Sequence, residues 1–397
     1  MAAPLLSACG AIPQASWSSF AAPAPPLSAS AATEVTRAVR AAVAARGRAI
    51  GTDDAAAFGA TVGATSSPAS RRQFDVLTQL PVSHYSLRVV GPVHANSAGP
   101  TARRAQAEVV EHYQLPGDRG DVVRRGAAAF TRVGQSWRLQ SWRPVRPDLW
   151  DLEPAQVAIS GRVVAICGTD ALPAPALAAL AQEAADRVDQ VWQPTWNERV
   201  VVELPNSQAD FARIGAIRSG APNIAGLTTT LRGAGGQAMA VRVYLNPATF
   251  FGDTLGENIV LTHEITHVAQ AALPAGVPLW LVEGSADYVA YSGSGLPATT
   301  IAQDIRDDPA PSAPPSDHAF TFDSSPGQLA GAYEQAWSLL QSVADRHGTG
   351  SVSQLYAAVA RAPGTEVDRE TAAMRTVLGE SRDTVLADWR AWLADRL

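Results

Sequence analysis

Two helical patterns in the second half of the chain are separated only by a short turn. Residues 257–272 contain neither glycine nor proline, so a helix can run through them without interruption. The next predicted helix covers residues 278–291, and the turn at 273–278 is rich in proline and glycine. Such a turn lets the second helix fold back beside the first. The sequence therefore predicts an antiparallel helix pair.

Three polar residues of the first helix have the spacing of a metal site. His263 and His267 are four residues apart and share one helix face, so both imidazoles can reach one ion at about 2.0–2.1 Å. Glu264 projects beside that position, where it could take a proton from a metal-bound water. The pattern predicts two metal ligands and a general base.

The second helix carries two carboxylates that would complete such a site. Catalytic zinc normally has three protein ligands and one open position, and Glu283 is placed to be the third ligand. Asp287 follows four residues later on the same face. It could accept the outward ring N–H of a ligand histidine and so fix the tautomer of that ring. Two independent motifs thus predict one site.

The two motifs together resemble the gluzincin metallopeptidases, in particular the bacterial peptidase MA-like proteins related to the leukotriene-hydrolase-type aminopeptidases. The Glu-x-x-x-Asp spacing is similar to that of thermolysin. The resemblance implies zinc-dependent hydrolysis of a peptide or protein substrate, with one Zn²⁺ per chain. It covers roughly residues 157–397. The family's metal ligands correspond to His263, His267 and Glu283. Its base corresponds to Glu264, and its supporting carboxylate corresponds to Asp287.

A peptidase also needs a group that stabilises the negative charge on the attacked carbonyl oxygen. Tyr333 is the first candidate, because it begins a predicted helix and relatives carry a tyrosine at a similar place. The alternatives are Tyr288, Tyr291 and His318. The chain lacks the Gly-x-Met-Glu-Asn motif with which related aminopeptidases bind a free amino terminus, so the choice between endopeptidase and exopeptidase stays open.

The first third of the chain changes from a helical to a strand pattern, which predicts an α+β fold. Its order of helices followed by an antiparallel sheet resembles the cone-shaped fold of nuclear transport factor two and its bacterial relatives. Helices are predicted at residues 33–50, 52–62 and 69–80, and strands at 85–90, 105–113, 122–133 and 137–142.

The second half predicts a small sheet followed by a mainly helical lobe, which is the zincin layout. Strands are expected at 157–166, 199–204 and 240–246; the last of these could align an extended peptide by β-augmentation or be an ordinary sheet strand. Further helices are expected at 175–191, 207–214, 331–347 and 352–361, with two more before the C-terminus. The predicted division is a tether at 1–32, a cone-like domain at 33–143, a linker at 144–154 and a metallopeptidase domain at 155–397.

The segment around Cys9 resembles the lipobox of bacterial lipoproteins. Small residues precede the cysteine, and a stretch rich in proline, alanine and serine follows it as a tether would. The basic and apolar parts of a secretory signal are incomplete in this chain. We expect an extracytoplasmic protein attached to the membrane by a lipid on Cys9, with a cytoplasmic protein as the alternative.

Composition excludes several other functions. The 31 basic residues are all arginine, so mechanisms that need a lysine are ruled out. A net charge of −6 without long runs of like charge makes nucleic acid an unexpected partner. Two alternatives to a peptidase stay open: a catalytically idle zinc-binding scaffold, in which the first domain recognises a partner of unknown identity, and a cell-wall amidase that uses the same site.

Overall fold

A computed structural model gives the architecture of the chain. It describes residues 29–64, 67–97, 101–196, 199–217, 224–233, 237–306, 311–321 and 325–397. Cys9 and most of the predicted tether lie outside these residues. The first helix begins four residues earlier than the sequence predicts, inside the predicted tether. The α+β class predicted from the sequence is confirmed.

The N-terminal part consists of three helices that precede an antiparallel sheet. Within the described residues, the sheet has four strands in the order β1-β2-β3-β4. Its inner face packs against α1, where Val39 of the helix is fully buried together with Val109 and Phe130 of the sheet. The elements are α1 (Ala29–Gly51), α2 (Ala55–Ala60), α3 (Ser67–Gln79), β1 (His84–Ala95), β2 (Arg104–Gln114), β3 (Val122–Val133) and β4 (Ser136–Pro144).

A short helix, α4 (Leu149–Leu152), lies in the segment predicted as a linker. Its Leu149 and Trp150 are buried. Asp148 caps the helix, and Asp151 three residues later accepts a hydrogen bond from the Asp148 N–H, which forms a capping box. The segment is thus an ordered connection between the two parts of the chain.

A second sheet of five strands follows, in the order β5-β6-β7-β9-β8 among the described residues. Strands β6, β7 and β9 are parallel, whereas β5 and β8 are antiparallel to their neighbours. The strands are β5 (Ala155–Ser160), β6 (Val163–Gly168), β7 (Val200–Leu204), β8 (Gly226–Arg232) and β9 (Ala238–Leu245).

The second sheet differs from the sequence prediction in three respects. The strand predicted at 157–166 is two strands, because Gly161 has a φ of +50° and turns the chain back. Strand β8 is an element that the sequence pattern did not predict. Strand β9 pairs with β8 along its length and with β7 at Val243 and Tyr244, so its C-terminal half is an inner part of the sheet and is not open to an added strand.

Helices cover the second sheet and form the C-terminal lobe. None of the helices in the described part of the chain combines the length and apolar character needed to cross a lipid bilayer. They are α5 (Ala174–Val191), α6 (Gln208–Ile214), α7 (Thr254–Gln270), α8 (Leu279–Tyr291), α9 (Ala298–Ile301), α10 (Pro326–His347), α11 (Ser351–Arg361), α12 (Glu366–Val377) and α13 (Arg382–Arg396), with a 3₁₀ helix at Asp317–Phe320.

The five-stranded sheet is buried on both faces. Val163 and Ala165 of β6 pack with the helices of the second half. The alternate residue Ile166 faces the other way and belongs to a cluster with Phe74 of α3 and Trp150 of α4. Alternate side chains of one strand therefore join the cores of both halves of the chain.

Candidate metal centre

Helix α7 is buried along most of its length, so the polar side chains that it carries lie inside the protein. Asp253 caps the helix by accepting a hydrogen bond from the Gly256 N–H at 2.7 Å. From Ile259 to Gln270 every side chain is buried, so the polar residues in this stretch need partners inside the protein. Helix α8 packs antiparallel to α7 and supplies partners for His263, His267 and Gln270.

Three ligand atoms from α7 and α8 converge on one point. His263 Nε2 and His267 Nε2 are 3.1 Å apart. Glu283 Oε2 lies 3.4 Å from the first of these nitrogens and 3.3 Å from the second. Ligands at about 2.0–2.1 Å from one tetrahedral ion would be about 3.3 Å from each other. The three residues form a buried group that could bind a metal ion.

The outer nitrogen of His263 is held by Asp287. His263 Nδ1 lies 2.8 Å from Asp287 Oδ1, and both side chains are buried. A carboxylate only accepts hydrogen bonds, so Nδ1 carries the proton and donates it. In the neutral ring, Nε2 then has a lone pair that points toward Glu283 and His267. The structure places Asp287 where the sequence predicted it.

The outer nitrogen of His267 is held by Gln270, which the sequence analysis did not identify. Gln270 Oε1 lies 2.7 Å from His267 Nδ1. The amide nitrogen of Gln270 donates to the Val282 carbonyl at 2.8 Å and to Ser285 Oγ at 3.0 Å. A carbonyl can only accept, so the amide orientation is fixed and His267 Nδ1 must be the donor. In the neutral ring, His267 Nε2 therefore also has a lone pair.

When both rings are neutral, these hydrogen bonds leave the two Nε2 atoms and Glu283 Oε2 as three acceptors that face one another. Glu283 Oε2 is buried and has no hydrogen-bond donor among the residues that the structure describes. Burial alone would raise the pKa of Glu283, but His267 and His263 lower it to about 2. Burial acts to lower the pKa of both histidines, but the pKa of each is raised, that of His263 by Asp287 and that of His267 by Glu283. These pKa shifts show that the site favours positive charge, and a metal cation would take the place of the ring protons on the two Nε2 atoms.

Glu264 lies on the same turn of α7 and contacts strand β8. Thr228 donates its hydroxyl to Glu264 Oε2 at 2.6 Å and lies 3.0 Å from the backbone oxygen of the same residue. Burial raises the pKa of Glu264, while His263, His267 and Thr228 act in the opposite direction. The carboxyl group is thus fixed beside the three ligand atoms without being one of them.

A glycine permits this approach of strand and helix. A Cβ at Gly226 would lie 2.6 Å from Glu264 Oε1 and 2.7 Å from its Cγ, closer than real contacts allow. Thr228 and Gly226 both belong to β8, the strand that the sequence did not predict. The part of the site contributed by the sheet was therefore absent from the sequence prediction.

Tyr333 of α10 lies beside the three-ligand group. Its ring centroid is 6.3 Å from that of His263 and 5.3 Å from that of Phe320. Helix α10 comes this close to α8 because Gly284, directly after Glu283, has no side chain. A Cβ there would lie 2.7 Å from the Ala336 carbonyl oxygen. Gly284 thus helps to place Tyr333.

The other three candidates for stabilising the carbonyl oxygen have different surroundings. Tyr288 donates its hydroxyl to the Thr349 carbonyl at 3.4 Å. The ring of Tyr291 packs against Trp337 with the centroids 6.2 Å apart. His318 is exposed on the 3₁₀ helix. The described contacts favour Tyr333 among the four.

No protein-family model matches the chain, and no curated protein matches its sequence significantly. The proposed function therefore rests on the geometry of the site.

Proposed function

We propose that this chain is a zinc-dependent peptidase of the gluzincin type. The observation that carries the proposal is the convergence of ligand atoms from His263, His267 and Glu283 beside the buried carboxyl group of Glu264. Two imidazole nitrogens and one carboxylate oxygen are a ligand set of catalytic zinc in hydrolases. When bound there, zinc would polarise an amide carbonyl and lower the pKa of water to about 7.

Glu264 would move the protons of the reaction. We assign it to take a proton from the attacking water and to give that proton to the nitrogen of the leaving amine. The hydrogen bond from Thr228, at 2.6 Å, would keep the carboxyl group oriented during both transfers. A fixed base has less freedom to lose on reaching the transition state.

Tyr333 would donate a hydrogen bond to the carbonyl oxygen as negative charge develops on it. Its position beside His263, with the rings 6.3 Å apart, supports this assignment. Phe320 packs against the other side of the tyrosine ring and would limit its movement. Loss of one such donor typically reduces kcat by about 10²–10³-fold.

We propose that the substrate is a peptide or protein outside the cytoplasm. This location rests on the residues around Cys9, which match the acylation pattern of bacterial lipoproteins. A lipid on Cys9 would be the membrane attachment of the protein. The following residues, rich in proline, alanine and serine, would separate the folded part from the bilayer.

One pair of variants tests the enzyme assignment. Glu264→Gln removes the proton acceptor but leaves the three ligand residues in place, so it should bind zinc like the wild type and cleave no peptide. Glu257→Gln makes the same chemical change in the first turn of α7 and serves as the control. Zinc content is measured by mass spectrometry after metal loading, and cleavage is measured on a mixed peptide library.

Each alternative function predicts a different result. If the zinc-loaded wild type cleaves no peptide, the peptidase proposal fails and an idle zinc-binding scaffold is favoured. Cleavage of amide bonds in cell-wall peptidoglycan, without cleavage of the library, would favour the amidase. If Glu264→Gln cleaves as fast as the wild type, Glu264 is not the base.

A further inference from the structure

The N-terminal part contains a small cavity between α1 and the four-stranded sheet. Its volume of about 20 Å³ is sufficient for one water-sized molecule or ion, which needs about 10–15 Å³. Most of the lining is apolar and includes Val43, Leu87, Val109 and Phe130. The cavity lies in a different part of the fold from the candidate metal centre.

Arg46 lines this cavity and is 4% exposed. Its Nη2 donates to Gln73 Oε1 at 2.7 Å, and its guanidinium carbon lies 4.1 Å from the centre of the Phe58 ring. These contacts fix the guanidinium plane. The other terminal nitrogen, Nη1, is buried and has no hydrogen-bond partner among the described residues. The buried cation thus has a donor left over.

Trp142 also lines this cavity and carries a second donor without an acceptor among the residues that the structure describes. Trp142 Nε1 is buried and also has no hydrogen-bond partner within the described part of the chain. An unsatisfied buried N–H is costly, and one that belongs to a buried cation is more so. Two residues that line one cavity thus each carry a buried donor that lacks an acceptor within the described residues.

The charge of Glu111 also acts on Arg46, but this carboxylate is bound by other residues. Glu111 accepts a hydrogen bond from the Tyr85 hydroxyl at 2.6 Å and forms an ion pair with Arg124. Burial lowers the pKa of Arg46 to about 10, although Tyr85 and Glu111 act in the opposite direction. The guanidinium is thus charged, buried and incompletely compensated.

We propose that a small monoanion, of the size of chloride or formate, binds in this cavity and accepts hydrogen bonds from Arg46 Nη1 and Trp142 Nε1. An anion needs only hydrogen-bond donors, and its negative charge would compensate the positive charge of Arg46. A water molecule would need acceptors for its own two hydrogens, and the lining is mostly apolar. The site takes either a halide or a small carboxylate, since both present compact negative charge.

Calorimetric titration of the full chain tests the proposal. Sodium chloride, sodium formate and sodium acetate are titrated separately into protein in a buffer whose own anion is a bulky sulfonate. Saturable binding of chloride or formate is expected. Acetate, which is larger by one methyl group, should bind more weakly because the cavity has little spare volume. The affinities for chloride and formate show whether the site prefers a halide or a small carboxylate.

Two variants locate the binding. Arg46→Gln and Trp142→Phe should each weaken binding at least about tenfold, because a hydrogen bond to a charged group is lost in either case. Trp142→Phe keeps a large ring in place, so it remains informative if Arg46→Gln does not fold. Arg88→Gln removes an exposed charge from β1 and should bind like the wild type. The proposal is overturned if folded wild type binds neither anion, or if Trp142→Phe binds both unchanged.

Discussion

Gln270 holds the outer nitrogen of His267 with its amide oxygen, 2.7 Å away, while its amide nitrogen is bound to the Val282 carbonyl of α8. One side chain therefore fixes the histidine tautomer and ties α7 to α8. Asp287 makes the corresponding contact to His263 with a carboxylate. The two histidines thus have partners of different charge.

The variant Gln270→Leu should weaken metal binding by about 10–100-fold, because removal of such a partner leaves the histidine free to turn. Gln270→Glu retains an acceptor for His267 Nδ1 but places a carboxylate oxygen against the Val282 carbonyl, so it should recover only part of the affinity. Affinity is measured by competition with a coloured chelator. Equal affinity of the leucine variant and the wild type would show that α7 alone orients His267.

The variant Gly226→Ala should reduce peptide cleavage at least about tenfold without a loss of metal affinity. The added methyl would lie 2.6 Å from Glu264 Oε1 and would displace the carboxyl group. Gly256→Ala is the control, because its methyl would meet Asp253 Oδ1 at an ordinary 3.4 Å. Steady-state kinetics and metal titration are compared for both. A parallel loss of metal and cleavage would contradict the interpretation.

The variant Asp118→Ala should lower the free energy of unfolding by about 3–5 kcal/mol, because it leaves a buried guanidinium without its partner. Arg242 donates two hydrogen bonds to Asp118, at 2.7 and 2.8 Å, and this contact joins β9 to the loop before β3. Glu108→Gln removes the exposed pair with Arg125 and should cost less than about 1 kcal/mol. Urea unfolding measures both. If both variants lose a similar amount of unfolding free energy, the buried Asp118–Arg242 pair stabilises the fold no more than the exposed pair does.

The pH dependence of stability should contain a contribution from Glu203. Burial, followed by Asp148, raises the pKa of this carboxyl group from 4.5 to about 8. Between these values the folded chain retains a proton that the unfolded chain has released. The free energy of unfolding should therefore fall as pH rises toward 8, by at most about 1.4 kcal/mol per pH unit.

Replacement by glutamine isolates that contribution. Glu203→Gln cannot release a proton, so its stability should change less between pH 5 and pH 8 and exceed that of the wild type at the upper end. Glu183→Gln, at an exposed position of α5, is the matched control. Urea unfolding across the pH range gives the comparison. A Glu203→Gln variant with the wild-type slope would exclude the assignment.

Local spacing explains which parts of the candidate site could be predicted. His263 and His267 lie on one face because a helix has a fixed period, and the sequence alone contains this information. Gln270 follows His267 by three residues, so the same reasoning could have found it. The contact between Thr228 and Glu264 joins residues that are 36 positions apart, and no local pattern indicates it.

Local sequence patterns also explain which helices and strands could be predicted. Helix α8 begins one residue from its predicted start, since an uninterrupted apolar run follows a proline. Strand β8 was missed because three consecutive threonines interrupt its apolar character, and its register with β9 is a tertiary property. Gly161 could have been recognised as a turn inside the predicted strand, because an isolated glycine there often marks a bend.

Cys167 of β6 can serve as a probe of how often the five-stranded sheet opens. Its thiol is fully buried in the sheet, and burial raises its pKa to about 12, so thiol reagents will not reach a reactive thiolate while the sheet is closed. Alkylation at this position, followed by mass analysis of the peptide that contains it, would therefore report how often the strands separate. A chain without lysine allows such labelling with little interference from side-chain amines.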